Sequence, residues 1–134
     1  KLDENRVCRL IFDQVLVVDI EASEDERTLY IYAKVGAVPP EGKETFMALL
    51  LEANLFGKGT GGATFALDHT HHTVYLCRIL STESTDYQEF VNTLEGFVNH
   101  VEAWKQKIEK GDMGQEAAST VAQDGFRDSG YLRA

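Results

Sequence analysis

The chain has 134 residues, one domain's worth of length, and its composition (43% hydrophobic, 26% charged) is that of a folded globular protein. Thirteen Lys and Arg against twenty-two Asp and Glu leave a formal charge of −9, which repels phosphate backbones and anionic lipid and excludes nucleic acid and membrane surfaces as first-choice partners. The longest unbroken apolar run, Phe46 to Leu51, is far short of the ~20 residues of a membrane-spanning helix.

Three strands are predicted first. Arg6–Phe12, Leu16–Glu21 and Thr28–Val35 are rich in Val, Ile, Leu and Tyr, which suit pleated surfaces. Alternation puts Cys8, Leu10 and Phe12, then Leu16, Val18 and Ile20, then Leu29, Ile31, Ala33 and Val35 toward the core. Phe12 and Leu16 share a face if the loop between them is the three residues Asp13 to Val15; a two-residue turn swaps the faces of the second strand. Cys8 and Cys77 are too few for a disulfide scaffold. Both read as small buried hydrophobes of a reducing compartment, with one bridge between them as the alternative.

Val38-Pro39-Pro40 ends the sheet, and Glu41–Asn54 reads as a helix closed by Leu55-Phe56-Gly57. Its six consecutive apolar residues, Phe46 to Leu51, cover the whole circumference at ~100° per residue. One small sheet shelters one side of such a helix, so a second copy of the chain is expected to shelter the other. Burial within one monomer is the competing arrangement. Thr64–Asp68 and Thr73–Leu80 are two further strands joined through His69-Thr70-His71-His72. Asp86–Lys110 carries Tyr87, Phe90, Val91, Leu94, Phe97, Val98, Val101, Trp104 and Ile108 at three- and four-residue spacing and reads as a long amphipathic helix. Thr85 with Gln88 resembles a capping box, and Gly111 supplies the stop. Residues 1–110 therefore form one α+β domain, a twisted antiparallel sheet of about five strands in the order βββ-α-ββ-α. Residues 111–134 read as a polar tail with one short helix over Gln115–Ala122.

The chemical motifs are weak. Gly57, Gly59 and Gly62 match the G-x-G-x-x-G spacing of dinucleotide sites, but here a helix precedes and a strand follows. The end of the helix dipole nearest a phosphate would then be the negative one. A tightly bent linker, in which glycine lets backbones approach, is the plainer reading. Asp68, His69, His71 and His72 lack a further His or Cys cluster to complete a metal shell, and His100 stands alone in the last helix. Neither cysteine has a neighbouring His, and no Ser stands in an elbow motif. No catalytic residue, metal ligand or cofactor is assigned. On the second face of the sheet Val7, Ile11, Val15, Val17, Tyr30, Tyr32, Val74 and Leu76 are expected, with Arg9, Lys34 and Arg78 among them. Such a surface calls for a cover.

The run Leu50-Leu51-Glu52-Ala53-Asn54-Leu55-Phe56, then Gly59-Thr60-Gly61-Gly62 and Phe65-x-Leu67-Asp68, resembles the centre of the class I type III secretion chaperones, the Tir-chaperone (CesT-like) family. Glu4-Asn5-Arg6-x-Cys8 with Phe12-Asp13 is similar to that family's first strand, and Leu29-Tyr30-Ile31-Tyr32 to its third. The resemblance implies a bacterial cytoplasmic homodimer, not an enzyme and without cofactor. It binds the extended N-terminal region of a secreted effector and keeps it soluble and competent for secretion. It also implies that the middle helix and the strand after it, here Lys43–Asn54 and Thr64–Asp68, build the dimer interface. Family members begin with an amphipathic helix, and that helix is expected to be missing from this sequence. Val7, Ile11, Val17, Tyr30 and Tyr32 are the expected client contacts. Phe46, Met47, Leu50, Leu51 and Phe65 are the expected dimer contacts. The alternative is a small-molecule or metal-binding domain or enzyme, with its site near Gly57–Gly62 and His69–His72.

Overall fold

Apolar residues at alternate positions drive the first three strands to pair, and the turns between them set the register. In the computed structural model, which describes residues 4–111, β1 (Val7–Phe12) and β2 (Leu16–Ala22) form a hairpin with Phe12 opposite Leu16. The loop is therefore the three-residue one. Asp13 and Gln14 take left-handed φ of 52° and 64°, and the Val15 N–H donates to the Phe12 carbonyl at 3.2 Å. The second hairpin, to β3 (Thr28–Ala37), turns on Asp25, whose carboxylate accepts from the Ser23 hydroxyl at 2.6 Å and the Arg27 N–H at 3.1 Å. Those two donors hold the Asp25 carboxyl below its ordinary value.

After the prolines the chain enters α1 (Lys43–Asn54), two residues later than Glu41, because Gly42 caps it in a left-handed conformation. A 3-10 turn, Leu55–Gly57, and the glycine-rich segment lead to β4 (Thr64–Asp68), then β5 (Thr73–Ser81) and α2 (Tyr87–Lys110). The sheet order is β1-β2-β3-β5-β4, antiparallel throughout. The N-cap of α2 is Asp86, whose carboxylate accepts from the Glu89 N–H at 2.8 Å, and not Thr85. Asp at that position satisfies an N–H of the first turn directly, so the Thr85–Gln88 box is not needed. The short helix expected over Gln115–Ala122 lies outside the described residues.

The core lies between the sheet and the two helices. Val18, Ile31, Val35, Val74, Leu76 and Val101 are fully enclosed. The last helix packs over β3, where Gly36 sits at a bulge. A Cβ on Gly36 would stand 2.5 Å from the Ile108 Cγ2, so glycine is what lets α2 approach the strand. The stripe predicted on α2 is the packed one, except for Tyr87, which is exposed, and Val91, which is half-buried but outside the packed cluster.

The middle helix departs from expectation. Phe46, Leu49, Leu50 and Ala53 form a buried face within their own subunit, and Phe65 joins them. Phe46 and Leu50 are 5% and 6% exposed, whereas Leu51 is 70% exposed. The six-residue apolar run is thus sheltered by its own subunit at Phe46, Leu49 and Leu50, the side that faces the core. Ala48 and Leu51 stay exposed and Met47 half-buried, so the other side of the run is left uncovered.

One polar side chain ties this helix to the sheet. Asn54 accepts the Phe65 N–H at 2.7 Å and reaches the Phe65 carbonyl at 3.5 Å. Asn54→Ala leaves that N–H without its acceptor in a half-buried site, and we expect a loss of about 1–3 kcal/mol, read from urea denaturation. An unchanged midpoint would show that water replaces the amide at no cost.

Candidate functional site: the uncovered face of the sheet

Both helices lie on one side of the sheet, so period-two alternation leaves every other side chain on a face with no described element over it. Strand register places Val7, Arg9 and Ile11 of β1, Val17, Asp19 and Glu21 of β2, and Thr28, Tyr30, Tyr32 and Lys34 of β3 on this face. From β5 come Tyr75, Cys77 and Ile79, and from β4 Thr64, Ala66 and Asp68. The five residues singled out as client contacts are all brought together here. Ile11 is 61% exposed, and Val17 and Tyr30 about two-fifths; Val7 and Tyr32 are half-buried.

Val74 and Leu76 are not on this face, and neither is Arg78. Leu76 pairs with Ala33 and Phe65, both core residues, so the phase of β5 is the reverse of that expected. The run Val74-Tyr75-Leu76-Cys77 is apolar on both sides and offers no alternation to read. Sequence reasoning therefore misses Tyr75, Cys77 and Ile79. The same phase puts Cys77 on the uncovered face, while Cys8 is on the helix side with two strands between them, which separates the thiols. Burial raises the Cys77 thiol above its ordinary value.

The face is polar across one row, and the two rows beside it are mainly apolar, with Glu21 in one and Lys34 in the other. Arg9 grips Asp19 with Nε at 2.8 Å and Nη2 at 3.1 Å, a bidentate pair. Tyr32 stands opposite Asp19 in the sheet, meets Tyr75 edge-to-face at 6.4 Å, and donates its hydroxyl to Glu21 at 3.4 Å. Burial first, then the charges of Asp19 and Glu21, raise the Tyr32 phenol. One side of this row holds Ile11 and Val17 as a cross-strand pair; the other holds Val7, Tyr30 and Ile79. Such a surface offers apolar area with a few fixed polar groups, which suits an extended chain laid across it.

The glycine-rich segment is a fastened crossing between helix and strand. Trp104 Nε1 donates to the Gly59 carbonyl at 2.9 Å, Arg78 Nη1 to the Gly62 carbonyl at 2.7 Å, and the Gly59 N–H to the Ala53 carbonyl at 3.1 Å. Gly61, at φ 64°, has room for hydrogen alone, since a Cβ there would meet the His100 ring at 2.5 Å. Its N–H groups do not open a helix onto a phosphate. In the β4–β5 turn His71 bonds Asp68 at 2.7 Å, which holds the Asp68 carboxyl below its ordinary value, and the rings of His69 and His72 meet at 5.9 Å. Among the described residues no three His, Cys, Asp or Glu side chains converge as metal ligands, and no helix is long and apolar enough to cross a membrane.

A second apolar surface remains. Leu51 on α1, Leu55 and Phe56 in the turn after it, and Leu67 on edge strand β4 are all exposed. Phe56, at φ 55°, is a non-glycine residue in the left-handed region, and its side chain is 57% exposed. Met47 is half-buried beside this patch, whereas Phe46, Leu50 and Phe65, expected in an interface, belong to the core.

Comparison with known proteins agrees with this architecture. Residues 1–105 match the model of the Tir chaperone protein (CesT) family. A Chlamydia pneumoniae protein, CPj0713/CpB0740, is 30% identical over 105 residues, 78% of each chain. Among solved structures, a chain of the ExsC–ExsE complex superposes with a TM-score of 0.66 at 23% identity, over 79% of this chain and 78% of that one. A chain of the HopA1–SchA chaperone–effector complex gives 0.63 at 13% identity, over 79% and 80%. A chain of the complex of the Yersinia pestis type III secretion chaperone SycH with a stable fragment of YscM2 gives 0.61 at 18% identity, over 78% and 84%.

Proposed function

This chain belongs to the Tir chaperone protein (CesT) family, and from that premise we propose that the uncovered sheet face is where it holds the N-terminal region of a secreted effector. It is a type III secretion chaperone whose partner is an effector protein. The observation that supports the placement is the sidedness of the sheet. Both helices pack on one face, while the other exposes Ile11, Val17, Tyr30 and Ile79 around a fixed polar row. A client that stays extended loses much of its conformational freedom on binding, and apolar contact area offsets that loss. Binding and release need no bond making, so the chaperone works without catalysis or cofactor, in the bacterial cytoplasm where its client is made. The direct test is co-expression with each protein exported by the cognate secretion apparatus, followed by co-purification. A client that protects Cys77 from alkylation supports the site; a client that co-purifies and leaves Cys77 as reactive as in the free chaperone places binding elsewhere.

Self-association uses the second apolar surface. Leu51, Leu55, Phe56 and Leu67 carry it, with Met47 at its edge. A backbone held at φ 55° in Phe56 costs on the order of 1–3 kcal/mol and persists where it presents a side chain to some purpose. Leu51→Asp with Phe56→Asp is expected to convert a dimer into a monomer in sedimentation velocity, with helical circular dichroism retained. A double variant as dimeric as its parent would remove this assignment.

A further inference from the structure

We infer that Glu21 is an anchor for a basic side chain, Arg or Lys, of the bound client, received between the rings of Tyr30 and Tyr32. The inference rests on the uncovered face being the client surface. Glu21 lies on that face, half-buried, with Val7 opposite it on β1 and Tyr30 opposite it on β3. Tyr30 in turn stands opposite Ile79. Cross-strand partners have their Cβ atoms about 4.5–5.5 Å apart, so Val7 and Tyr30 border Glu21 from the two neighbouring strands, and the Tyr32 hydroxyl reaches its carboxylate.

The charges on this face do not balance, and the imbalance falls on Glu21. Asp19 is fully engaged, both of its oxygens bonded by Arg9. Glu21 accepts instead from the Tyr32 hydroxyl at 3.4 Å, beyond the usual O–H···O range of about 2.5–3.0 Å. A carboxylate has room for roughly four donors. Lys34, the other cation of this face, pairs across to Tyr75, two rows from Glu21. Arg9, Asp19 and Glu21 together carry one negative charge in excess beside two rings. A client carboxylate would meet repulsion there, and a neutral residue would leave the charge unmatched. An Arg or Lys head satisfies the carboxylate and lies against the negative faces of Tyr30 and Tyr32. Its aliphatic stem packs against Val7, the apolar partner of Glu21 across the hairpin. The overall charge of −9 steers a basic segment toward the chain in the same sense.

The experiment pans a random peptide library against the full chain, wild type and Glu21→Gln, and measures selected peptides by fluorescence polarisation. Wild type is expected to enrich Arg or Lys flanked by apolar residues. A selected peptide should bind Glu21→Gln about tenfold more weakly, with a flatter salt dependence, while its Arg→Gln counterpart binds both proteins alike. Peptides without a basic preference, or equal binding of the Arg peptide to both proteins, overturn the inference. Val17→Asp separates the two claims. If it leaves the selected peptides bound as tightly as before, or if no peptide is enriched, the client surface itself is misplaced and the role of Glu21 falls with it.

Discussion

Replacing Val17 and Tyr30 together by Asp is expected to abolish effector co-purification while leaving the fold intact. Both side chains lie on the uncovered face, about two-fifths exposed, and neither belongs to the buried cluster. Each contributes on the order of 1.5 kcal/mol or more when a client covers it, and an aspartate in its place would have to be desolvated opposite apolar atoms. Two such losses multiply to at least about a hundredfold in affinity. Thermal stability of the free chaperone should shift little, since partly exposed positions away from caps and buried networks usually change it by less than about 0.5–1 kcal/mol. The measurement is titration of the effector's N-terminal segment by isothermal calorimetry. Undiminished affinity would move the binding surface off this sheet.

The second large effect is on stability. Trp104 stands between α2 and the glycine-rich segment, its ring edge-to-face with Phe65 at 4.8 Å and its Nε1 bonded to the Gly59 carbonyl. Trp104→Ala removes the ring, the aromatic contact and the hydrogen bond at once, and a loss of about 3–5 kcal/mol is expected. For a domain of about 100 residues that lowers the melting temperature by more than ~10 °C. Trp104→Phe keeps most of the packing and should lose about 1–2 kcal/mol, the share of the bond to Gly59. Protein concentration has to be held constant across the series, because the proposed self-association would make apparent stability depend on it. If both variants melt with the parent, the crossing is not fastened as described, and the segment contributes nothing to holding α1 against the sheet.

These two experiments address surfaces whose legibility in the sequence differs. The faces of β1, β2 and β3 follow from alternation because each strand has one wholly apolar side: Leu16, Val18 and Ile20 against Val17, Asp19 and Glu21. The stripe on α2 follows in the same way from its three- and four-residue spacing. The face of β5 is not legible, since Val74 to Cys77 is apolar on both sides and its pairing with Ala33 and Phe65 settles the phase. The apolar girdle of α1 reads, from sequence, as more than one subunit can shelter. Periodicity gives no sign of the glycine-rich segment's path, whose crossing lets the helix dock while Leu51 stays outside.

The amino-acid order by itself determined the strands, the two helices and the family, because these depend on periodicity and a run of motif residues within a few dozen positions; the choice between a two- and a three-residue first hairpin loop was left to the register of Phe12 against Leu16. Tertiary structure alone decided which side chains of β5 face outward, that Phe46, Leu50 and Phe65 are core, and that Arg9 spends its charge on Asp19 and not on Glu21. Each of those is a sum over neighbours distant in sequence, and local patterns carry no record of which neighbours arrive.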